Sequence, residues 1–326
     1  MNIEYPAHIY FANLPTRIEK LDSLSKSLGG PEIWIKRDDL TGCATSGNKI
    51  RKLEFAVADA IKNKADTIIT CGWLNSNHAR ATAILTSKLG LKSILLLRGE
   101  KPSALEGNLF LSTLVGAEIR YLTPTEYERR GEIMDEIIEE LAEENRIGYS
   151  IPAGATYPVG IWGYIKAAEE IKNQTPDFDA IVVPVGTGGT YAGLFIGKKL
   201  FDLRCSIYGV NVEEDEEYFK SAISEIIEEW NRSFNQPISF SPDEIRIIDG
   251  YKGKGYSQFG QDEIEVIKRL ARTEGIILDP VYTGKAMRGL IGEVEKGRFS
   301  KKERILFIHT GGIFGLLSRI EEIGEL

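Results

Sequence analysis

Ala180-Ile181-Val182-Val183-Pro184-Val185-Gly186-Thr187-Gly188-Gly189-Thr190-Tyr191-Ala192-Gly193 is the stretch on which the fold turns. Its first six residues form an apolar run of strand length, and the chain from Tyr191 to Leu200 carries the spacing of a helix. Small residues fill the gap between them. Strand, glycine loop and helix in this order build an anion site: backbone N–H groups and the helix dipole point at the anion, and glycines let it come close. Thr187 and Thr190 add hydroxyl donors. A tight turn without a ligand has the same build, but so many small residues between two buried elements favour the anion.

The alternation continues outward. Thr67-Ile68-Ile69-Thr70, Ser93-Ile94-Leu95-Leu96-Leu97 and Glu118-Ile119-Arg120-Tyr121 read as strands. A helix follows Asn77, with Ala79, Ala83, Ile84 and Leu85 apolar, and another lies between Ala104 and Val115; Gly90 and Gly116 fall where these helices should stop. A second series begins after Pro152 with a helix through Ile165 to Ile171 and the strand and loop quoted above. It continues with the strand Ile207-Tyr208-Gly209-Val210, an acidic helix from Glu213 to Trp230, and a last strand Ile305-Leu306-Phe307-Ile308 ending in His309-Thr310-Gly311-Gly312. Short strands alternating with helices predict an α/β fold with parallel sheets wrapped by helices. Ile33-Trp34-Ile35-Lys36-Arg37-Asp38-Asp39 reads as one more strand, able to pair with either series. Glu136, Glu139, Glu140, Glu143 and Glu144 accompany Ile133, Ile137, Ile138 and Leu141 at helical spacing, which describes a solvated face behind a buried one rather than a metal site.

With 326 residues, 42% hydrophobic and 27% charged, the chain is an ordinary globular one, long enough for two domains. A net charge of −8 argues against a nucleic-acid surface, which needs a basic field. Cys43, Cys71 and Cys205 are too few and too scattered for a disulfide framework or a zinc set, so no metal is expected. The N-terminus lacks a basic-then-apolar targeting pattern, and no apolar run approaches the roughly 20 residues that cross a bilayer. A soluble cytoplasmic protein with no membrane partner is expected.

Lys49 lies in Thr45-Ser46-Gly47-Asn48-Lys49-Ile50-Arg51-Lys52. A lysine at a helix start is commonly just a surface residue. Here Arg51 and Lys52 are expected to lower its pKa and supply a neutral amine. An amine opposite a phosphate cradle is the arrangement that holds a phosphorylated aldehyde as a Schiff base. The dinucleotide fingerprint fails because Tyr191 takes the third glycine position, and no Lys-Ser/Thr pair completes a Walker loop. Glu213, near the end of the next strand, keeps a nicotinamide cofactor as a rival.

Seven stretches in order carry a resemblance: Arg37-Asp38-Asp39, Ser46 to Glu54, Asn75-Ser76-Asn77-His78-Ala79-Arg80, the glycine loop, Arg272-Thr273-Glu274-Gly275, Asp279 to Lys285, and His309-Thr310-Gly311-Gly312. Over nearly its whole length the chain resembles pyridoxal-5′-phosphate enzymes of the tryptophan-synthase-β type. Within them it resembles the group of 1-aminocyclopropane-1-carboxylate (ACC) deaminase and D-cysteine desulfhydrase. The resemblance implies fold type II, with two open, mostly parallel sheets, a large domain from residues 1–52 and 151–326, and a small inserted domain from 53–150. It implies that Lys49 anchors pyridoxal 5′-phosphate, that Gly186, Thr187, Gly188, Gly189 and Thr190 hold the phosphate, and that Asn77 bonds the 3′-oxygen. Ser76 would face the substrate carboxylate or act in catalysis, and Tyr256 and Tyr282 would line the pocket. Ser76 and Asn77 also fit as helix caps, and Tyr256 as a packing aromatic.

Two positions separate the branches: the ring-opening deaminases are expected to carry Glu and Leu where this chain has Thr283 and Thr310. Both threonines favour D-cysteine, because a neutral hydroxyl at the pyridine nitrogen makes a weaker electron sink than a carboxylate does. Elimination of sulfide to leave pyruvate and ammonium is therefore the expected reaction. ACC conversion to 2-oxobutanoate is the alternative, with D- or L-serine deamination behind it. Trp73 and Asn75 stand where Gly and Gln are expected and leave the substrate open. A small amino acid is the expected ligand, a homodimer the expected assembly, and a carboxylate placed at Gly188 is expected to press on the phosphate.

Overall fold

The computed structural model describes residues 3–174, 176–253, 255 and 257–324. The chain opens with β1 (Ile18–Lys20), α1 (Asp22–Leu28), β2 (Glu32–Lys36) and α2 (Lys49–Lys62). There follow β3 (Thr67–Trp73), α3 (Asn77–Lys88), β4 (Lys92–Arg98), α4 (Gly107–Leu114), β5 (Glu118–Leu122), α5 (Pro124–Glu128), α6 (Arg130–Glu143) and β6 (Gly148–Ile151). The second series is α7 (Trp162–Lys172), β7 (Ala180–Val185), α8 (Gly189–Leu200), β8 (Ser206–Asn211), α9 (Glu216–Ser233) and β9 (Arg246–Ile248). Last come α10 (Gln261–Glu274), α11 (Thr283–Glu295), β10 (Arg304–Ile308), α12 (Ile313–Leu317) and α13 (Ile320–Ile323).

Two sheets result, as the alternation predicts. One has six strands in the order β1-β2-β10-β7-β8-β9, and the other four in the order β5-β4-β3-β6. Every pairing is parallel except β1 with β2. The strand able to join either series, β2, pairs with β10 through Ile33↔Ile305 and Ile35↔Phe307 in the larger sheet. Both faces of the sheets are covered, so β7 is buried at all six residues and reads as a continuous apolar run. Gly90 and Gly116 take positive φ just beyond α3 and α4, where the sequence stops those helices. On α6, Ile137 and Leu141 are buried and the glutamates exposed, which is the solvated face expected of the acidic run.

A buried polar cluster joins the N-terminal segment and α2 to α7. Asp38 accepts from Arg51 at 2.8 and 2.9 Å and from the Tyr164 hydroxyl at 2.6 Å. Glu170 accepts from Arg51 at 2.9 Å and from Lys36 at 2.6 Å. Burial pushes the Asp38 carboxyl up, but Arg51 and Lys36 outweigh it and hold the group below its ordinary value. Each charge is compensated, which is what allows the cluster to be buried at all. Its consequence is positional: the far face of α2 is locked to β2 and α7, so the residues on its near face are held still.

Candidate active site

The first turn of α2 carries two lysines toward the glycine loop. Asn48 is the N-cap residue and Lys49 the first helical one. Lys49 lines a cavity with Asn48, Asn77, residues 184–188, Thr190, Tyr191, Tyr282, Thr310 and Gly311. Burial lowers its amine to about pKa 8. Burial, not Arg51, is the leading cause: Arg51 points to the opposite side of the helix and is neutralised by Asp38 and Glu170.

Lys52, one turn on, is fully buried, and its ammonium donates to the Gly154 carbonyl at 3.1 Å. Burial, and then the charge of Lys49, push its pKa well below the ordinary value. Among the described residues it pairs with no carboxylate. A cation buried without an anion is costly, and here it stands against the glycine loop: a Cβ on Gly189 would lie 2.7 Å from Lys52 Nζ and 2.7 Å from Thr156 Oγ1. The loop itself is shaped as the sequence predicts. Gly188 caps α8 at φ 82°, a conformation that favours glycine. Thr187 is exposed, with its hydroxyl 2.6 Å from that of Thr156, and Thr190 Oγ1 accepts from Asn48 Nδ2 at 3.0 Å. A helix N-terminus, hydroxyls and an uncompensated amine together fit a phosphate dianion.

Gly188 itself faces away from that cradle. A Cβ there would meet Ile223 and Ile226 at 3.1 and 3.2 Å. The expectation that a carboxylate at this position presses on the phosphate is therefore corrected; Gly189 is the position whose side chain would enter the cradle.

Across the cavity stands the start of α3. Ser76 caps it, accepting from Ala79 N at 3.2 Å, so the cap expected of it is present, and its hydroxyl hydrogen is not consumed by that bond. Asn77 lines the cavity and accepts at Oδ1 from Asn108 Nδ2 at 3.0 Å. His78 is buried behind them, 2.8 Å from Thr70 Oγ1, and burial keeps it neutral. Thr310 joins the cavity from the end of β10, and its carbonyl accepts from Asn48 N at 3.0 Å. His309 places that turn as a neutral ring, accepting from Gly311 N at 3.2 Å and donating to the Ile277 carbonyl at 2.9 Å.

Tyr282 lines this cavity and a second one of about 320 Å³, which Asn77 also borders together with Trp73, Asn75, Arg98 and Arg319. Ser76 lines neither, and nor does Thr283. Thr283 is fully buried, its hydroxyl donates to Asp279 Oδ1 at 2.6 Å, and Asp279 also accepts from the backbone of Val281, Tyr282 and Thr283. The structure thus brings Lys49, Asn77, the glycine loop, Tyr282 and Thr310 together and sets Thr283 behind them. Tyr256 lies outside the described residues. Lys52 was missed, although its i, i+3 spacing from Lys49 puts both on one helix face. Asn108 and Thr156 gave no local signal.

The profile of the family described as pyridoxal-phosphate dependent enzyme matches residues 9–311, and the chain belongs to that family; it is a pyridoxal-phosphate-dependent enzyme. It is 41% identical, over 98% of its length and 82% of the relative's, to the bifunctional D-cysteine desulfhydrase/ACC deaminase, mitochondrial, of Arabidopsis thaliana. It is 37% identical to the D-cysteine desulfhydrase of Klebsiella pneumoniae, over 91% of this chain and 92% of that one. A crystal structure of an ACC deaminase homologue superposes with TM-score 0.90 at 37% identity, covering 98% of this chain and 96% of the other. The nicotinamide rival falls with these matches.

Proposed function

We propose that this enzyme eliminates sulfide and ammonia from D-cysteine, leaving pyruvate. The observation that carries the proposal is that Thr310, a neutral residue, lines the Lys49 cavity, where no carboxylate is among the described lining residues. When bound, pyridoxal phosphate supplies the electron sink for the charge left at Cα. Lys49 would anchor it, Lys52 and the 186–190 loop would hold the phosphate, Asn77 would bond the 3′-oxygen and Thr310 the pyridine nitrogen. With its amine at about pKa 8, Lys49 exists partly neutral near pH 7 and is suited to take the α-proton at Nζ. Ser76, whose oxygen accepts from the α3 backbone, has its hydrogen left to donate to the substrate carboxylate. Tyr282 borders both cavities and would stand beside the β-substituent. The Cβ–S bond breaks with its electron pair going to sulfur, and the released aminoacrylate takes up water to give pyruvate and ammonium.

A neutral partner at the pyridine nitrogen suits loss of a good leaving group better than opening of a cyclopropane. The large domain of residues 1–52 and 151–326 and the small one of 53–150 belong to the same proposal: the four-stranded sheet lies wholly within 67–151. So do a homodimer and a cytoplasmic location; among the described residues no helix is long and apolar enough to cross a membrane. An absorption spectrum of the purified protein, then sulfide and pyruvate release from D-cysteine against 2-oxobutanoate release from ACC, tests the reaction. Dominant 2-oxobutanoate formation would replace this function with ACC deamination.

A further inference from the structure

Arg80 is an unusual cation for the middle of a protein. It is 1% exposed, pairs with no carboxylate among the described residues, and burial pulls its pKa down to about 9. A neutral side chain would be cheaper to bury, so stability does not explain it. Its contacts do. Nε donates to Asn108 Oδ1 at 3.0 Å, one terminal nitrogen donates to the Ala44 carbonyl, the other donates to the Ser46 carbonyl at 2.8 Å, and the plane lies 5.0 Å from the Phe314 ring centre.

An arginine can only donate. That single fact fixes Asn108, also 1% exposed, because only its oxygen can face the guanidinium. Its amide nitrogen then donates both hydrogens, one to the Asn75 carbonyl at 2.8 Å and one to Asn77 Oδ1 at 3.0 Å. With Oδ1 of Asn77 consumed, Nδ2 is the polar end turned to the cavity. The carbonyl and amide ends of an asparagine are nearly identical in shape, and here the choice between them is forced by a charge two side chains away.

We infer that Arg80 and Asn108 are positioning residues that hold Asn77 with its amide hydrogens toward the cofactor. Arg80 also grips the backbone at 44 and 46, just ahead of Lys49, so one guanidinium sets both the loop before the anchoring amine and the amide opposite it. This rests on the assignment of Asn77 as a donor to the cofactor's 3′-oxygen, and the tests separate the two.

Asn108→Asp keeps an acceptor for Arg80 and gives it a counter-charge, but offers no donor to Asn77 Oδ1. Asn77 must then turn over, donate to the introduced carboxylate and show its oxygen to the cavity. The apoprotein is expected to melt near the parent temperature, the counter-charge gained by Arg80 offsetting the donor lost to the Asn75 carbonyl, while affinity for pyridoxal phosphate, measured by equilibrium dialysis, falls about tenfold. Asn77→Ala is expected to lose a similar factor. Parent affinity in Asn108→Asp together with weakened binding in Asn77→Ala overturns the relay and leaves Asn77 as a donor; parent affinity in Asn77→Ala overturns both. Should Asn108→Asp not fold, Arg80→Gln serves, since glutamine can present either end and frees the orientation of Asn108. Several-fold weaker binding supports the relay, and a lowered melting temperature with unchanged affinity overturns it.

Discussion

The Lys52 ammonium donates to the Gly154 carbonyl at 3.1 Å, and that carbonyl is its sole hydrogen-bond acceptor among the described residues. A single neutral acceptor does not compensate a buried charge, whereas a phosphate beside it would. Lys52→Met should therefore separate cofactor binding from folding. Affinity for pyridoxal phosphate is expected to fall about ten- to a hundredfold, while the apoprotein melts no lower than the parent, because an uncompensated charge has been removed. A drop in melting temperature with parent affinity would show that Lys52 serves the fold.

Lys49→Ala should abolish the borohydride-reducible attachment of the cofactor and nearly all turnover, since Lys52, the nearest amine on the same helix face, is held by Gly154. Intact-protein mass after borohydride reduction decides this. A variant carrying the cofactor's mass at parental occupancy would exclude Lys49 as the anchor.

The same two lysines predict how the apoprotein's stability depends on pH. Folded Lys49 titrates at about 8, against an ordinary lysine value near 10.4 in the unfolded chain. Between those values the unfolded chain holds a proton that the folded one has lost, so stability rises with pH across the window. Lys52, shifted in the same direction, adds to the rise. Urea midpoints of apoprotein from about pH 7 to about pH 10 should climb, and Lys49→Ala should climb less. A fall over this range in the parent contradicts the burial of both amines.

Gly189→Ala and Gly188→Ala should fail in different ways. The first adds a methyl 2.7 Å from Lys52 Nζ and Thr156 Oγ1, both movable ends, so the protein should fold and bind pyridoxal phosphate several-fold more weakly. The second forces a side chain into φ 82° against Ile223 and Ile226, so it should lose about 1 kcal/mol or more of stability with little change in affinity once folded. Dialysis and thermal melts on both variants would reveal any interchange of these effects.

Strands such as β7 and β4 were legible because their apolar runs are buried on both faces, and α3 because Ser76 caps it and Gly90 follows it. β1 and β9 have three residues each, too short to show a period, and exist because β2 and β8 offer them an edge. Lys49 and the glycine loop could be found because each concentrates its signal in consecutive residues. Asn108 and Thr156 could not, since each reaches the site across a long sequence separation and looks locally like any polar residue. Thr283 shows the converse: its sequence neighbour Tyr282 lines the cavity, but α11 begins between them and turns the threonine back onto Asp279.

That placement changes how the branch point should be probed. The double change Thr283→Glu with Thr310→Leu is the natural test from sequence, yet a glutamate at 283 would stand beside the buried Asp279 carboxylate, which already accepts four hydrogen bonds from this turn. Two buried carboxylates in contact repel, and the variant should lose stability before it gains ring opening. Thr310 is the cleaner probe. Thr310→Val keeps the shape and removes the hydroxyl, so cofactor affinity should fall several-fold for the lost bond while kcat for pyruvate release from D-cysteine falls about tenfold or more. Thr283→Val should do the reverse, lowering the melting temperature through the lost Asp279 bond and reaching kcat only through Tyr282. Measured side by side, a large kcat loss in Thr283→Val with none in Thr310→Val would move the pyridine partner from β10 to α11. It would also remove the observation on which the preference for D-cysteine rests.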